Sequence, residues 1–134
     1  MQKQDKEQRA DALLISSIGR VHNKFDKPTS PEDMRSEESA IVLYPQYKDG
    51  LYKIEDYKHL YVIFYFHRSK GYKLIAKRRF GGVKGVFASR SPRRPVPVGL
   101  CRVELLGVDD DRLLVRGLDA MNGTPVLDIK PCFN

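Results

Sequence analysis

The sequence predicts a mostly β protein, a single-domain barrel-like or strongly curved sheet. Three observations lead there. Apolar residues come in short runs bounded by Gly, Pro, Asn or Asp. The densest run, Leu60 to Phe66, is made of β-branched, aromatic and leucine residues. No stretch carries the 3.6-residue periodicity of a long amphipathic helix. A chain of 134 residues suits one domain, and a hydrophobic content of 41% excludes wholesale disorder.

Residues 1–12 read as a flexible polar arm without the apolar stretch of a signal peptide, and 13–134 as the folded domain. Leu13 to Val21 is the expected first strand. Asn23 to Ser39, rich in Pro, Asp, Glu and Ser, reads as a long loop, and such a loop in a compact domain is more often functional than idle. Ala40 to Tyr44 forms a short strand stopped by Pro45 and the turn-like Asp49-Gly50. Leu51 to Tyr57 suggests a helical turn, and His59 to His67 a strand buried on both faces. Gly81, Gly82 and Gly85 lead into a strand over Val86 to Ser89, after which Pro92, Pro95 and Pro97 break regular structure. Leu100 to Val108 and Leu113 to Leu118 make a hairpin around Asp109-Asp110-Asp111, and Val126 to Ile129 a last strand. The count is six or seven strands.

The net charge is +7, from 24 Lys and Arg against 17 Asp and Glu. Its placement is uneven. Eleven basic residues and no acidic one lie between Arg68 and Arg102, leaving 13 basic and 17 acidic residues elsewhere. One quarter of the chain thus holds the whole excess, the pattern of a polyanion-binding surface; a solvated face paired with acidic loops is the plainer alternative. Leu60 to Phe66 is too short to cross a bilayer, and a soluble cytoplasmic protein is expected. Tyr61, Tyr65 and Tyr72 offer base-stacking surfaces, though the first two fit a core equally well.

Several groups invite chemistry and carry little of it. Gly81-Gly82-Val83-Lys84-Gly85 would have to open a helix to cradle phosphates, and it opens a strand instead, so a turn or bulge is expected. His22, His59 and His67 have no metal-ligand spacing; no metal is expected. His59 and His67 share parity, so on one strand they would face the same side, and His67 at the strand end is a ligand-contact candidate. Cys101 and Cys132 have no zinc-type pairing, and Cys101 reads as a small core residue.

Two segments are denser. Gly85 to Gly99 runs into a proline-locked loop carrying Arg90, Arg93 and Arg94, where restricted backbone freedom favours guanidinium groups that must meet anionic oxygens. Leu118 to Pro131 contains the turn Asn122-Gly123-Thr124-Pro125 beside Asp119 and Asp128. Together with Ile18-Gly19, Val21 and Phe66-His67, these segments resemble the TrmO family (YaeB, TsaA or VirR-like) of S-adenosylmethionine-dependent tRNA methyltransferases. The resemblance covers about residues 15–133. It implies a barrel-like, non-Rossmann methyltransferase, a homodimer acting on the exocyclic N6 of threonylcarbamoyladenosine beside the tRNA anticodon. It implies an S-adenosyl-L-methionine site at Pro31, His67, Arg68, Arg90, Leu100, Asn122, Gly123, Thr124 and Pro125. Arg93 or Arg94 would hold the threonine carboxylate, while Lys77, Arg78, Arg79 and Lys84 would meet the tRNA backbone. The chain departs from the family at Val96, usually Asn, at Asn122, usually Asp, at Cys132, usually Tyr, and at Thr29-Ser30, usually Arg-Gln. A binding module of the same fold, for the cofactor or for RNA but without catalysis, is the alternative.

Overall fold

The computed structural model describes residues 11–133. Six antiparallel strands close into a barrel, and a separate two-stranded hairpin stands beside it. The barrel strands are β1 (Gly19–His22), β2 (Glu38–Leu43), β3 (His59–Tyr65), β6 (Val98–Asp109), β7 (Arg112–Arg116) and β8 (Pro125–Pro131). The hairpin is β4 (Ile75–Lys77) with β5 (Val83–Gly85). One short helix, α1 (Pro31–Arg35), precedes β2. Around the barrel the order is β1-β2-β7-β6-β3-β8, with β8 returning to β1.

Alternation explains the core. Leu60, Val62 and Phe64 of β3 point inward, as do Leu113 and Val115 of β7, Cys101 and Val103 of β6, and Val21 of β1. Ile41, Leu43, Leu118 and Val126 complete a buried cluster. β6 is long enough to pair first with β3, over Val98 to Glu104, and then with β7, over Glu104 to Asp109. A register shift between Leu105 and Gly107 lets it bend between the two. A second shift, between Ile63 and Phe64, interrupts the antiparallel pairing of β3 with β8.

Several expectations are corrected. Leu13, Leu14 and Ile15 are 81%, 98% and 62% exposed and extended without strand pairing, so the first strand begins only at Gly19, where pairing partners exist on both sides. The loop over residues 23–39 contains α1, started by Ser30, whose hydroxyl accepts from the Asp33 amide at 3.2 Å, and by Pro31 in the first turn. The strand expected at Val86 to Ser89 is a 3-10 turn over Val86–Ala88, and the glycines before it form the β4–β5 hairpin, with Gly81 and Gly82 at positive φ. A further 3-10 stretch, Pro45–Leu51, was unforeseen; the helical turn expected over Leu51 to Tyr57 contracts to Ile54–Asp56. β3 is buried on one face rather than both, and Tyr65 is exposed. It ends at Tyr65, so His67 lies in the following turn and shares no strand face with His59. The polar arm expected over 1–12 lies, apart from its last two residues, outside the described residues.

Closure depends on one close approach. A Cβ at Gly19 would collide with the carbonyl oxygen of Val42 and lie 2.9 Å from Cα of Leu43, both backbone atoms of β2 that cannot rotate aside. Gly19→Ala is expected to lower stability by about 1–3 kcal/mol. A urea melt would show a reduced midpoint at unchanged slope; an unchanged midpoint would refute the constraint.

Candidate functional site

At one rim of the barrel, four segments enclose a cleft of about 710 Å³. The segment before α1 gives Pro28 and Thr29, and α1 itself Pro31 and Met34. Phe66, His67, Arg68 and Ser69 come from the turn after β3. The arginine-proline loop gives Ser89, Arg90, Pro92, Arg93 and Arg94. The stretch between β7 and β8 adds Asp119, Ala120, Met121 and Thr124. Phe64 and Phe66 form an edge-to-face pair with centroids 5.2 Å apart at the cleft floor. They pack over Gly99, where an added Cβ would lie 2.7 Å from each ring, so the missing side chain makes room for the floor.

Hydrogen bonds hold the four segments in place. The Phe66 amide donates to Pro97 O at 2.8 Å and the Ser69 hydroxyl to Pro92 O at 2.9 Å, joining the His67 turn to the proline loop. Arg90 donates to Leu100 O at 2.8 Å, and Arg94 to Ser89 O at 2.9 Å, so these guanidinium groups brace the loop through carbonyls that leave their charge intact. Arg68 donates to Asp26 O at 2.8 Å. Across the cleft Asp119 pairs with Arg35 of α1 at 3.1 Å. The buried Thr124 donates to Met121 O at 2.7 Å, and Arg20 donates to Gly123 O at 2.8 Å.

The electrostatics are cationic over an apolar floor. His67 is held below its ordinary 6.5, first by burial and then by the charges of Arg68 and Arg20, so its imidazole is neutral at pH 7. Burial pushes the Cys101 thiol up to about 11, which leaves it unreactive; both cysteines are buried and not disulfide-linked.

Of the residues expected to hold a cofactor, Pro31, His67, Arg68, Arg90, Leu100 and Thr124 line this cleft, with Arg93 and Arg94 beside them. Asn122, Gly123 and Pro125 do not; they shape the turn behind it. Asn122 accepts from the Asn23 amide at 3.0 Å and donates to the Asp26 carboxylate at 3.0 Å. An amide suits that position because it offers both a donor and an acceptor, whereas an Asp would place two carboxylates together. Lys77, Arg78, Arg79 and Lys84 all sit on or between β4 and β5, outside the lining of the cleft. Arg79 reaches Glu32 of α1 at 2.7 Å and holds that carboxyl below its usual range. Sequence reasoning missed Met34, Ser69, Phe87 and Met121 as lining residues.

The family model described as the tRNA-methyltransferase O N-terminal domain matches residues 18–134. This chain belongs to that family. An S-adenosyl-L-methionine-binding protein of Archaeoglobus fulgidus is 39% identical over 122 residues, 88% of each chain. The mouse tRNA (adenine(37)-N6)-methyltransferase is 40% identical over 134 residues, which cover 91% of this chain and 31% of the mouse one. The crystal structure of TrmO from Pseudomonas aeruginosa superimposes with a TM-score of 0.73 at 31% identity, over 92% of this chain and 57% of that one. The chain therefore spans about a third of the mouse relative and somewhat over half of the solved TrmO chain.

Asn122→Asp is expected to cost about 0.5–1 kcal/mol through repulsion with Asp26. Asp26→Asn in the same chain should restore the loss. Thermal melts of the single and double variants decide; additive losses would refute the pairing.

Proposed function

We propose that this chain is an S-adenosylmethionine-dependent methyltransferase acting on tRNA, and that the acceptor is the N6 nitrogen of threonylcarbamoyladenosine beside the anticodon. The observation that carries the reading is the cleft itself: an apolar, aromatic floor under a rim of four arginines, in a chain of the tRNA-methyltransferase O family. The naming of the archaeal relative for S-adenosyl-L-methionine and of the mouse relative for adenine-N6 transfer to tRNA supports it.

The residues present fit the cofactor. A cleft of about 710 Å³ lies within the size range of small-molecule sites. Phe64, Phe66, Met34 and Met121 offer flat or deformable apolar surface to an adenine ring. The arginines complement a carboxylate. Bound there, the cofactor supplies an electrophilic methyl group on a positively charged sulfur.

The acceptor nitrogen is a poor nucleophile because its lone pair is delocalised. The protein's contribution is therefore alignment and exclusion of water. Pro92, Pro95 and Pro97 keep the arginine loop from collapsing, and the Ser69 hydroxyl and Phe66 amide bonds fix its position relative to His67. Arg90 and Arg94 are braced by backbone carbonyls. The Arg93 guanidinium has no partner among the described residues and is the group available to grip the threonine carboxylate of the modified adenosine. Beyond the cleft, Lys73, Lys77 and Lys84 carry the positive surface along the hairpin, where the anticodon stem's phosphates would lie.

Titration calorimetry with S-adenosylmethionine should give saturable heat, and nucleoside mass spectrometry of tRNA incubated with the protein should show methylated threonylcarbamoyladenosine. Heat without methylation would leave a cofactor-binding module; neither would sink the reading. Arg93→Ala is expected to lower kcat/KM on threonylcarbamoylated tRNA by about 10–100-fold, corresponding to about 1.5–3 kcal/mol for a charged hydrogen bond, with cofactor affinity unchanged. Equal activity on that substrate would exclude the carboxylate grip. For roughly five phosphate contacts, log affinity for tRNA should fall against log salt with a slope of about −4 to −5, read by filter binding across a salt series. A flat dependence would remove the hairpin from the RNA surface.

A further inference from the structure

We infer that His67 is the base that takes the proton from the acceptor nitrogen as that nitrogen is methylated. The inference rests on reading the cleft as a methyl-transfer site, and it starts from elimination. The titratable side chains lining the cleft among the described residues are His67, Arg68, Arg90, Arg93, Arg94 and Asp119. Arginine does not give up its proton in a protein and so has no lone pair to offer. Asp119 is a weak base whose carboxylate is already engaged by Arg35 at 3.1 Å. The lining hydroxyls of Thr29, Ser69, Ser89 and Thr124 ionise far too high. His67 is left.

Its setting suits the role. The turn carrying it is tied to the proline loop on both sides, through the Phe66 amide to Pro97 O and the Ser69 hydroxyl to Pro92 O, so the backbone that bears the ring is held against the loop. The Tyr65 backbone favours the charged ring, but more weakly than burial and the charges of Arg68 and Arg20 favour the neutral one. The neutral imidazole keeps a lone pair on one of its two ring nitrogens. The charges around the ring are Arg68 on its own turn, Arg20 from β1, Arg90, Arg93 and Arg94 on the loop, and Asp119 across the cleft. Burial first, and then the cations, keep the imidazole uncharged before the reaction and push the proton out to solvent after it.

In the step, the nitrogen–methyl bond forms as the sulfur–methyl bond breaks, and the breaking pair stays on sulfur as a neutral thioether. The N–H proton passes to the unprotonated nitrogen of His67. One positive charge enters on sulfur and leaves as imidazolium, so charge balances without a further reactant.

Three measurements test this. In the free protein, the His67 ring resonances should titrate below pH 6.5; a midpoint at or above that would overturn the assignment. The kcat/KM of the wild type on threonylcarbamoylated tRNA should fall on the acid side with a limb below pH 6.5. In His67→Gln, assayed at saturating S-adenosylmethionine so that any loss of cofactor affinity is not counted, that limb should vanish and kcat at pH 7.5 drop about 100-fold or more. His67→Asn provides a second variant of the same kind should the first fold poorly. A variant that binds cofactor and keeps both its kcat and the acid limb refutes His67 while leaving the methyltransferase reading intact. A wild type that binds cofactor yet transfers no methyl group removes both.

Discussion

The short ladder between β1 and β8 is the contact on which the rest depends. It joins only Gly19 to Val126 and Arg20 to Pro125, yet it turns an open sheet into a barrel. The same seam positions the functional rim. The Val21 amide donates to Thr124 O at 2.9 Å and the Gly123 amide to Val21 O at 2.8 Å, so the turn behind the cleft is an extension of the closing strands. Arg20 then leaves the seam in two directions: its guanidinium clamps Gly123 O, and its charge helps keep His67 neutral. Closing the barrel and building the cleft are one event.

The arginines at that rim divide by what they touch. Arg90, Arg94 and Arg68 each donate to a backbone carbonyl, which fixes geometry without neutralising charge. Arg35 instead meets a carboxylate, Asp119, and joins α1 to the far wall of the cleft. A carbonyl-braced guanidinium keeps its field for a ligand, whereas an ion-paired one has largely used it. The rim's strong positive potential comes from favouring the first arrangement where the cleft opens.

The barrel was legible because apolar residues alternate over β6 and β7, because β-branched and aromatic residues crowd β3, and because Asp109 to Asp111 marks a hairpin turn. What stayed hidden was set by contacts between distant segments. Leu13 to Ile15 look like strand residues, but the segment finds no partner. The five-residue α1 is too short to show a period; its cap at Ser30 and the buried Met34 identify it only in the fold. Of the site, the arginine-proline loop and the Asn122-Gly123-Thr124-Pro125 turn could be seen as dense segments. Their division into lining and supporting residues could not, because Asn122 faces Asn23 and Asp26, about a hundred positions away in the chain. The unexpected lining residues, Met34 and Met121, are ordinary apolar residues until folding brings both to the wall of one cleft.

The hairpin of β4 and β5 is built on a different principle from the barrel. No residue from Gly71 to Gly85 is buried, and Leu74, Ile75, Phe80 and Val83 are all more than half exposed. Arg78 takes the place of a core, donating to the carbonyls of Lys73, Leu74 and Lys84 at 3.0, 3.3 and 3.1 Å. Opening such an element uncovers little apolar surface, so it adds almost nothing to the heat capacity of unfolding. The barrel's stability curves with temperature as hydrophobic burial dictates. The hairpin's does not, and the molecule carries a polar-bracketed arm whose shape is thermally decoupled from the body that bears it.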